Sequence, residues 1–403
     1  MKTLIKLLLI IPIAFFTSCS NDDDLNTVND PFVGDTKTYE LKSVSDPSIS
    51  GTARFMENAN GSTTVELQLS GTTIGAIHPA HIHFNTAAES GAIAVTLESV
   101  NGDTGFSSTT VSALNEDQGG TAISYDELLN FDGYINVHLS ATDLSTLVAQ
   151  GDIGQNGLTG NTVVYDLATA DVPDISGIAT FSERENGEAL AVIALDGTFD
   201  ADVHPGHIHM NTAVEGGAIA FTFNPVIGAT GISQTNVSAL DDNSSFGYSD
   251  ILDYDGYINI HLSADDLDVL VAQGDIGQND LTGDSVAYNL DTVDVPGING
   301  TATFFERNNG EALALLSLVG TPNDGTHPAH IHMGSVATAP GSILYTFTPV
   351  DGLTGMSLSN VSALDDDTPF GYNDVLAVDG YINVHLSADD LATLVAQGDI
   401  GIN

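Results

Sequence analysis

The sequence has very little cysteine and few basic residues, and each shortage excludes a class of function. Its single cysteine, Cys19, excludes an internal disulfide framework and a cysteine-based zinc site. Seven lysines and arginines stand against 54 aspartates and glutamates, which gives a formal net charge of −47. Nucleic acid is therefore not a partner, because phosphate contacts need a basic surface, and the negative field also repels anionic substrates. The only long apolar run lies at the N-terminus, while 42% hydrophobic residues indicate a folded body.

The N-terminus has the pattern of a signal peptide. Lys2 and Lys6 form a positive region, and Leu7–Phe16 is an apolar run too short to span a bilayer. Small residues then precede Cys19, which resembles a bacterial lipobox. The resemblance implies a signal peptide at residues 1–18 and a lipid on the Cys19 thiol. An ordinary secretory signal with a chance cysteine is the alternative.

Residues 19–36 are rich in Asn, Asp and Thr and are expected to form an acidic, flexible tether. The run Asp22–Asp24 resembles the surface-export signal of some Gram-negative lipoproteins, and a solvated linker is the alternative. The first interpretation predicts a lipid anchor in the outer membrane of the cell envelope, with exposure at the cell surface.

Three copies of one unit occupy the rest of the chain. The segment Tyr134–Ser140 returns at Tyr257–Ser263 and Tyr381–Ser387, and an HPxHIH motif occurs once in each unit. A period of about 120 residues is too long for a solenoid and long enough for each unit to bury its own core. The predicted domains are residues 37–157, 158–280 and 281–403.

Within each unit, short alternating runs separated by Gly, Asn, Asp and Ser are typical of an all-β fold. The strands predicted in the first unit are Thr63–Leu69, His81–Asn85, Gly91–Leu97 and Tyr134–Leu139. Two helical inserts are also expected, one at Tyr125–Leu129 and one at Leu144–Gln150, where Ser140 and Asp143 form a capping pattern. The predicted fold is three tandem immunoglobulin-like β-sandwich domains with short helical inserts.

All 12 histidines fall into four recurring positions. In chain order these positions are His78, His204 and His327; His81, His207 and His330; His83, His209 and His332; and His138, His261 and His385.

Strand geometry predicts that three of the four positions share a face. Alternate residues of a strand point to opposite sides, so His81 and His83 lie on one face and Ile82 on the other. His138 likewise lies opposite the apolar residues of its own strand. If the two strands are neighbours, three histidines meet on the outer face of the sheet, with His78 just before the first strand.

This arrangement predicts a transition-metal site in each unit. Imidazole binds copper and zinc, and an i, i+2 pair on a strand can chelate one ion. Neutral histidines without cysteine suit these metals better than a hard ion. All 12 histidines are therefore candidate ligands for about one ion per unit, with copper favoured and zinc the alternative. The other interpretation is that they are packing or hydrogen-bonding residues preserved by duplication.

The order and spacing of these motifs resemble the CHRD (chordin) domain. HxxHIH is followed about 55 residues later by YxNxH and then by a Gly-Asp-Ile-Gly ending, three times between residues 37 and 403. The resemblance implies a β-sandwich module of extracellular proteins, although the arginine usual in the last motif is absent. The CHRD family is in turn similar to copper/zinc superoxide dismutase. That similarity implies a superoxide-dismutase-like sandwich in which His81, His83, His138 and His78 hold copper.

A dismutase activity is nevertheless disfavoured, and no catalytic residue is assigned. No arginine recurs in all three units, the negative charge repels superoxide, and no zinc-binding loop is visible. The predicted function is metal binding by a lipid-anchored extracytoplasmic protein. A structural or adhesive surface module is the alternative, and a copper-dependent redox enzyme is the third possibility. Apart from the membrane and the metal ion, no partner is predicted.

Overall fold

The computed structural model describes residues 32–403, and most of this range is β-strand. Cys19, the predicted signal peptide at residues 1–18 and most of the predicted tether lie outside the described residues. No helix within residues 32–403 has both the length and the apolar character needed to cross a bilayer. The prediction of an all-β fold is confirmed.

The first repeat is a closed barrel with one short helix. Its elements are β1 (Phe32–Ser43), β2 (Ser50–Asn58), β3 (Thr63–Ser70), β4 (Ile77–Phe84), β5 (Ile93–Asn101), β6 (Phe106–Val111), α1 (Tyr125–Leu129), β7 (Asp132–Ser140) and β8 (Asp143–Gly154). The strand order is β1-β2-β3-β6-β5-β4-β7-β8, and pairing of Lys42 with Gln150 joins β1 to β8. This repeat is therefore one continuous barrel rather than the two separate sheets of the predicted sandwich.

The second and third repeats each form a ten-stranded sheet. The second contains β9 (Leu158–Thr169), β10 (Ser176–Arg184), β11 (Ala189–Asp196), β12 (Val203–His204), β13 (Gly206–Met210), β14 (Ile219–Thr222), β15 (Val226–Ile227), β16 (Ile232–Val237), α2 (Tyr248–Leu252), β17 (Asp255–Ser263) and β18 (Asp266–Gly277). The third contains β19 (Leu281–Thr292), β20 (Asn299–Arg307), β21 (Ala312–Val319), β22 (Thr326–His327), β23 (Ala329–Met333), β24 (Ile343–Thr346), β25 (Val350–Asp351), β26 (Met356–Val361), α3 (Tyr372–Ala377), β27 (Asp379–Ser387) and β28 (Asp390–Gly401).

These sheets repeat the strand order of the first repeat with two strands interrupted. In the second repeat, the short strands β12 and β13 correspond to β4, and β14 and β15 correspond to β5. The strand order is β12-β15-β16-β11-β10-β9-β18-β17-β13-β14. Pro225 and Pro349 occupy the position of Ser99, which lies inside β5. Proline has no N–H to donate to the ladder, so the strand breaks at this point.

Each sheet packs around its own hydrophobic cluster. Phe55, Phe181 and Phe304 occupy the same position in the three clusters, and all three are fully buried. Alternate residues of β3 are buried, as the sequence pattern of this strand predicts. The junctions between the repeats are polar, and Arg184 and Arg307 form buried ion pairs there with Asp152 and Asp275 of the preceding repeat.

Two of the local predictions are wrong. Residues 144–150 lie in strand β8 and not in a capped helix, because Ser140 pairs directly with Asp143 across a tight hairpin. The Asp143 carboxylate accepts hydrogen bonds from the backbone N–H and the hydroxyl of Thr146. Aspartate makes such contacts in turns as well as at helix N-termini, so the sequence pattern fits both structures. Residues 32–36, predicted as tether, belong to β1. The other predicted helix, Tyr125–Leu129, is confirmed.

Candidate metal centre

Three histidines of the first repeat converge on the outer face of the barrel. β4 and β7 are adjacent, with His81 opposite Asn136 and His83 opposite Tyr134. Ile82 points into the core and is fully buried, so its two neighbours point outward. His81, His83 and His138 bring one ring nitrogen each to within 4.8 Å of one another. We call these three residues, and their counterparts in the other repeats, the triads.

The second and third repeats contain the same arrangement. Their triads are His207, His209 and His261, and His330, His332 and His385. In each triad the second and third histidines are buried, whereas His81 and His330 are partly exposed. The first and third triads therefore have a side that solvent can reach, whereas all three histidines of the second triad are buried.

Backbone carbonyls fix the tautomers of two histidines in the first triad. His83 Nδ1 lies 3.0 Å from the Gly91 carbonyl oxygen, and His138 Nδ1 lies 2.7 Å from that of Leu144. Because a carbonyl oxygen only accepts, both Nδ1 atoms must carry the proton. In the neutral rings both Nε2 atoms therefore keep a lone pair, which is the state that a metal ligand requires.

The second and third triads are held in the same way. His209 and His332 donate through Nδ1 to the carbonyls of Gly217 and Gly341. His261 and His385 donate to the carbonyls of Leu267 and Leu391.

The remaining histidine of the first triad, His81, forms a hydrogen bond with His138. His81 Nδ1 lies 3.0 Å from His138 Nε2, and because that Nε2 is the acceptor, His81 donates. A metal ion would replace this hydrogen bond and take Nδ1 of His81 together with Nε2 of His83 and His138. In the third triad, His330 Nδ1 and His385 Nε2 have no hydrogen-bond partner within residues 32–403. In that triad these two nitrogens are therefore not occupied by a hydrogen bond to each other.

An aromatic ring supports the first triad from behind. The Tyr134 ring stacks on the His83 ring with centroids 4.9 Å apart and planes at 19°. Its hydroxyl accepts a hydrogen bond from the Gly91 N–H at 3.1 Å, and the Gly91 carbonyl holds His83. Tyr134 therefore positions His83 twice, once through the ring and once through the loop. Tyr257 and Tyr381 make the same contacts.

Burial and mutual proximity favour the neutral form of His81 and His138. Burial, with smaller contributions from the neighbouring His138 and His83, lowers the pKa of His81 to about 4. Burial also lowers the pKa of His138, against the hydrogen bond to Leu144, which raises it. Near pH 7 these two rings are therefore free of the proton that would compete with a cation.

The first triad differs from the others in its electrostatic surroundings. Burial lowers the pKa of His207 and His330, the neighbouring histidines lower it further, and Asp241 and Asp365 oppose this shift in part. The first repeat has Asn115 at the corresponding position. The second and third triads thus have a carboxylate nearby that the first lacks.

His78 does not join the triad. It lies on the same face of β4 as the buried Ala80 and Ile82, three residues from His81, and an odd spacing places two side chains on opposite faces. Its Nδ1 donates to the carbonyl of His138 at 3.1 Å. The expectation that His78 is a ligand is therefore not met, and the same holds for His204 and His327, which donate to the carbonyls of His261 and His385. These histidines position the strand that carries the third histidine of each triad.

The sequence analysis missed the supporting residues. The tyrosine and the glycine behind each triad recur in all three repeats, so a comparison of the repeats would have revealed them. Nothing in the sequence marked Leu144, since any residue supplies a carbonyl. The sequence showed only that no arginine recurs in all three units, and gave no sign that Arg184 and Arg307 lie in the repeat junctions.

Residues 37–143 match the family model of the CHRD domain. The match runs from β1 to the first residue of β8 and contains the whole first triad. No curated protein and no solved structure gives a match to the chain. The resemblance to the CHRD domain is confirmed for the first repeat.

Proposed function

We propose that this chain, whose residues 37–143 form a CHRD domain, binds one transition-metal ion in each of its three repeats. The observation that carries the proposal is the orientation of the lone pairs. In every triad two histidines donate Nδ1–H to a backbone carbonyl, so their Nε2 atoms keep a lone pair that faces the other histidines of the triad. Packing alone does not explain why three ring nitrogens, two of them unprotonated Nε2 atoms, converge in a partly buried site.

Copper is the favoured ion and zinc is the alternative. Three neutral imidazoles offer borderline donors without thiolate or carboxylate in the group itself, and copper binds such donors more tightly than the other divalent metals of its row. The partly exposed side of the first and third triads leaves a coordination position for water or another ligand.

The protein is further proposed to be a lipid-anchored component of the cell envelope, attached through Cys19 in the outer membrane. This part of the proposal is supported by the lipobox-like sequence alone. Metal binding does not depend on it.

Removal of one triad tests the proposal. His81→Ala combined with His83→Ala should reduce bound copper from three ions per chain to two, and the same pair of changes in each further repeat should remove one more. His78→Asn is the matched control, because it removes an imidazole of the same motif outside the triad while the asparagine amide can still donate to the His138 carbonyl, and three ions should remain. Copper content that is unchanged in the first variant would refute the proposal.

A structural or adhesive surface module is the second candidate. The hydrogen bonds from six triad histidines to carbonyls favour it, since each also ties a strand to a loop. This candidate expects loss of folding, and no metal, when the triads are removed.

A copper-dependent dismutase is the third candidate and has less support. Arg184 and Arg307 are fully buried in the repeat junctions, where their ion pairs with aspartates occupy them. Arg54 lies near Glu66 on the opposite side of the strand order from the triad. With a net charge of −47, the protein also repels superoxide. Binding without catalysis is therefore preferred.

A further inference from the structure

The lysines of the folded chain are confined to one place. After residue 6, Lys37 and Lys42 are the only lysines in the sequence. Both lie on β1, and both line a single cleft of about 820 Å³ between the first and second repeats. The second repeat has Val163 and Ala168 at these positions, so the lysines are not part of the repeated pattern.

The charges in this cleft nearly cancel in a molecule that is otherwise strongly acidic. Lys37 Nζ lies 2.7 Å from Glu185 Oε1, and Arg184 neutralises Asp152 at the same distance. Lys42 is exposed and forms no ion pair within residues 32–403. Glu40 also lines the cleft, on the same face of β1 as Lys42. Elsewhere the field repels anions, so this cleft is where an anion can be held.

One wall of the cleft is apolar. Leu190 and Val192 of β11 point away from their own core and line the cleft with half-exposed side chains, and Ile232 of β16 lies beside them. The first repeat has Thr64 and Glu66 where the second has Leu190 and Val192. An outward face that is apolar next to a free cationic group suits a ligand with one apolar part and one anionic part.

The second junction lacks the cationic half of this arrangement. Leu313 and Leu315 of β21 reproduce the apolar face, but Val163 and Ala168 of β9 stand where the first junction has the two lysines. The second junction therefore provides an internal comparison within the same chain.

The cleft also approaches the first triad. Lys42 pairs with Gln150, Gln150 with Asn136, and Asn136 with His81, so the four side chains form a row across neighbouring strands. At about 4.8 Å per strand, Lys42 stands about 14 Å from His81.

We propose that the cleft between the first and second repeats binds an amphipathic carboxylate. Its carboxylate pairs with the Lys42 ammonium group, and its apolar body lies against Leu190, Val192 and Ile232. The 820 Å³ of the cleft accommodates one such small organic molecule. Glu40 opposes the binding by like-charge repulsion.

Isothermal titration calorimetry with decanoate tests this proposal. The chain from residue 20 onward contains all of the described fold, and it is treated with a chelator so that no metal ion can bind the carboxylate. The outcome is then independent of the proposed metal function. One decanoate per chain is expected, and decyltrimethylammonium, which has the same tail and the opposite charge, should not bind.

Charge variants locate the binding site. Lys42→Gln should weaken decanoate binding at least about tenfold, and Glu40→Gln should strengthen it. Arg54→Gln is the matched control, because it removes one positive charge outside the cleft, and the affinity should stay within about twofold. All three side chains are on the surface, so thermal unfolding should be unaffected. Equal losses in the Lys42 and Arg54 variants, equal binding of the cationic probe, or no decanoate binding would each overturn the proposal.

Discussion

At the scale of single residues, the chemistry of each triad is set by atoms that do not belong to it. The carbonyls of Gly91 and Leu144 decide which nitrogen of His83 and His138 is free. Such outer contacts fix the ring orientation and the tautomer before the metal arrives, which lowers the cost of binding. The convergence of three histidines was accessible from the sequence, but their tautomers were not.

Tyr134→Phe is expected to weaken metal binding at the first triad by about tenfold. The change keeps the ring that stacks on His83 and removes the hydroxyl that holds the Gly91 N–H. The affinity is measured by calorimetric titration of copper into a chain whose second and third triads are replaced by alanine. Tyr125→Phe, on a helix that carries no triad residue, is the control. Identical affinities in the two variants would show that the hydroxyl does not position the ligand.

Acid should destabilise the metal-free protein through the same histidines. The folded state lowers the pKa of His81 from 6.5 to about 4, so the unfolded chain binds more protons between these values. The free energy of unfolding is therefore unaffected by His81 above pH 6.5 and decreases as the pH falls toward 4.

This effect is measured as the difference between urea unfolding midpoints at about pH 7 and about pH 5, where the linkage is already active. His81→Gln, His207→Gln and His330→Gln combined should reduce the difference, because glutamine does not titrate. An unchanged difference would mean that carboxylates alone cause the acid sensitivity.

At the scale of secondary-structure elements, sequence patterns identified the strands and one helix but could not decide between a turn and a helix cap. β3 and β7 lie where alternation placed them, and α1 has the predicted bounds. The segment at 144–150 was misassigned because an aspartate after a serine suits both a hairpin and a helix N-terminus. The segment is a strand because β8 pairs with β7 in a hairpin and with β1, which is distant in the sequence.

Whether two residues of a strand are an even or an odd number of positions apart explains why the prediction for His83 was correct and the prediction for His78 was not. The even spacing of His81 and His83 placed them together correctly. His78 was added to the same group although its spacing to His81 is odd, and its side chain lies on the inner face. The carbonyls that hold His83 and His138 belong to other segments of the chain, and their positions cannot be predicted from the local sequence pattern.

Gly151→Ala should destabilise the first repeat by about 1–3 kcal/mol. A Cβ at this position would overlap the carbonyl oxygen of Glu40, where β8 crosses β1 to close the barrel. Chemical denaturation followed by far-ultraviolet circular dichroism measures the change. Ser145→Ala, at an exposed position of the same strand, should have little effect. A loss no larger than that of the serine variant would show that the closure tolerates a side chain.

At the scale of the whole molecule, two buried arginines join the three repeats. Arg184 Nη1 lies 2.7 Å from Asp152 Oδ2 and also donates to the Asn156 carbonyl of the first repeat. Asp152 Oδ1 accepts from the Ala87 N–H in the loop after β4. The junction is therefore linked by hydrogen bonds to the loop that follows two of the triad histidines.

Arg184→Met should destabilise the first junction by about 3–5 kcal/mol, because it leaves the Asp152 carboxylate buried without its partner. The double variant with Asp152→Asn should recover part of the loss, since the amide oxygen still accepts from Ala87. Differential scanning calorimetry of the two variants measures the recovery. Equal destabilisation in both would indicate lost packing rather than an unpaired charge.

Metal content per chain tests the central claim most directly. The chain from residue 20 onward, prepared without a polyhistidine tag, is dialysed against limiting copper or zinc and then analysed by inductively coupled plasma mass spectrometry. The three triads predict three ions per chain, with copper retained in preference to zinc when both are supplied. A chain that remains free of metal under both conditions would contradict the account and leave the histidines with a purely structural role.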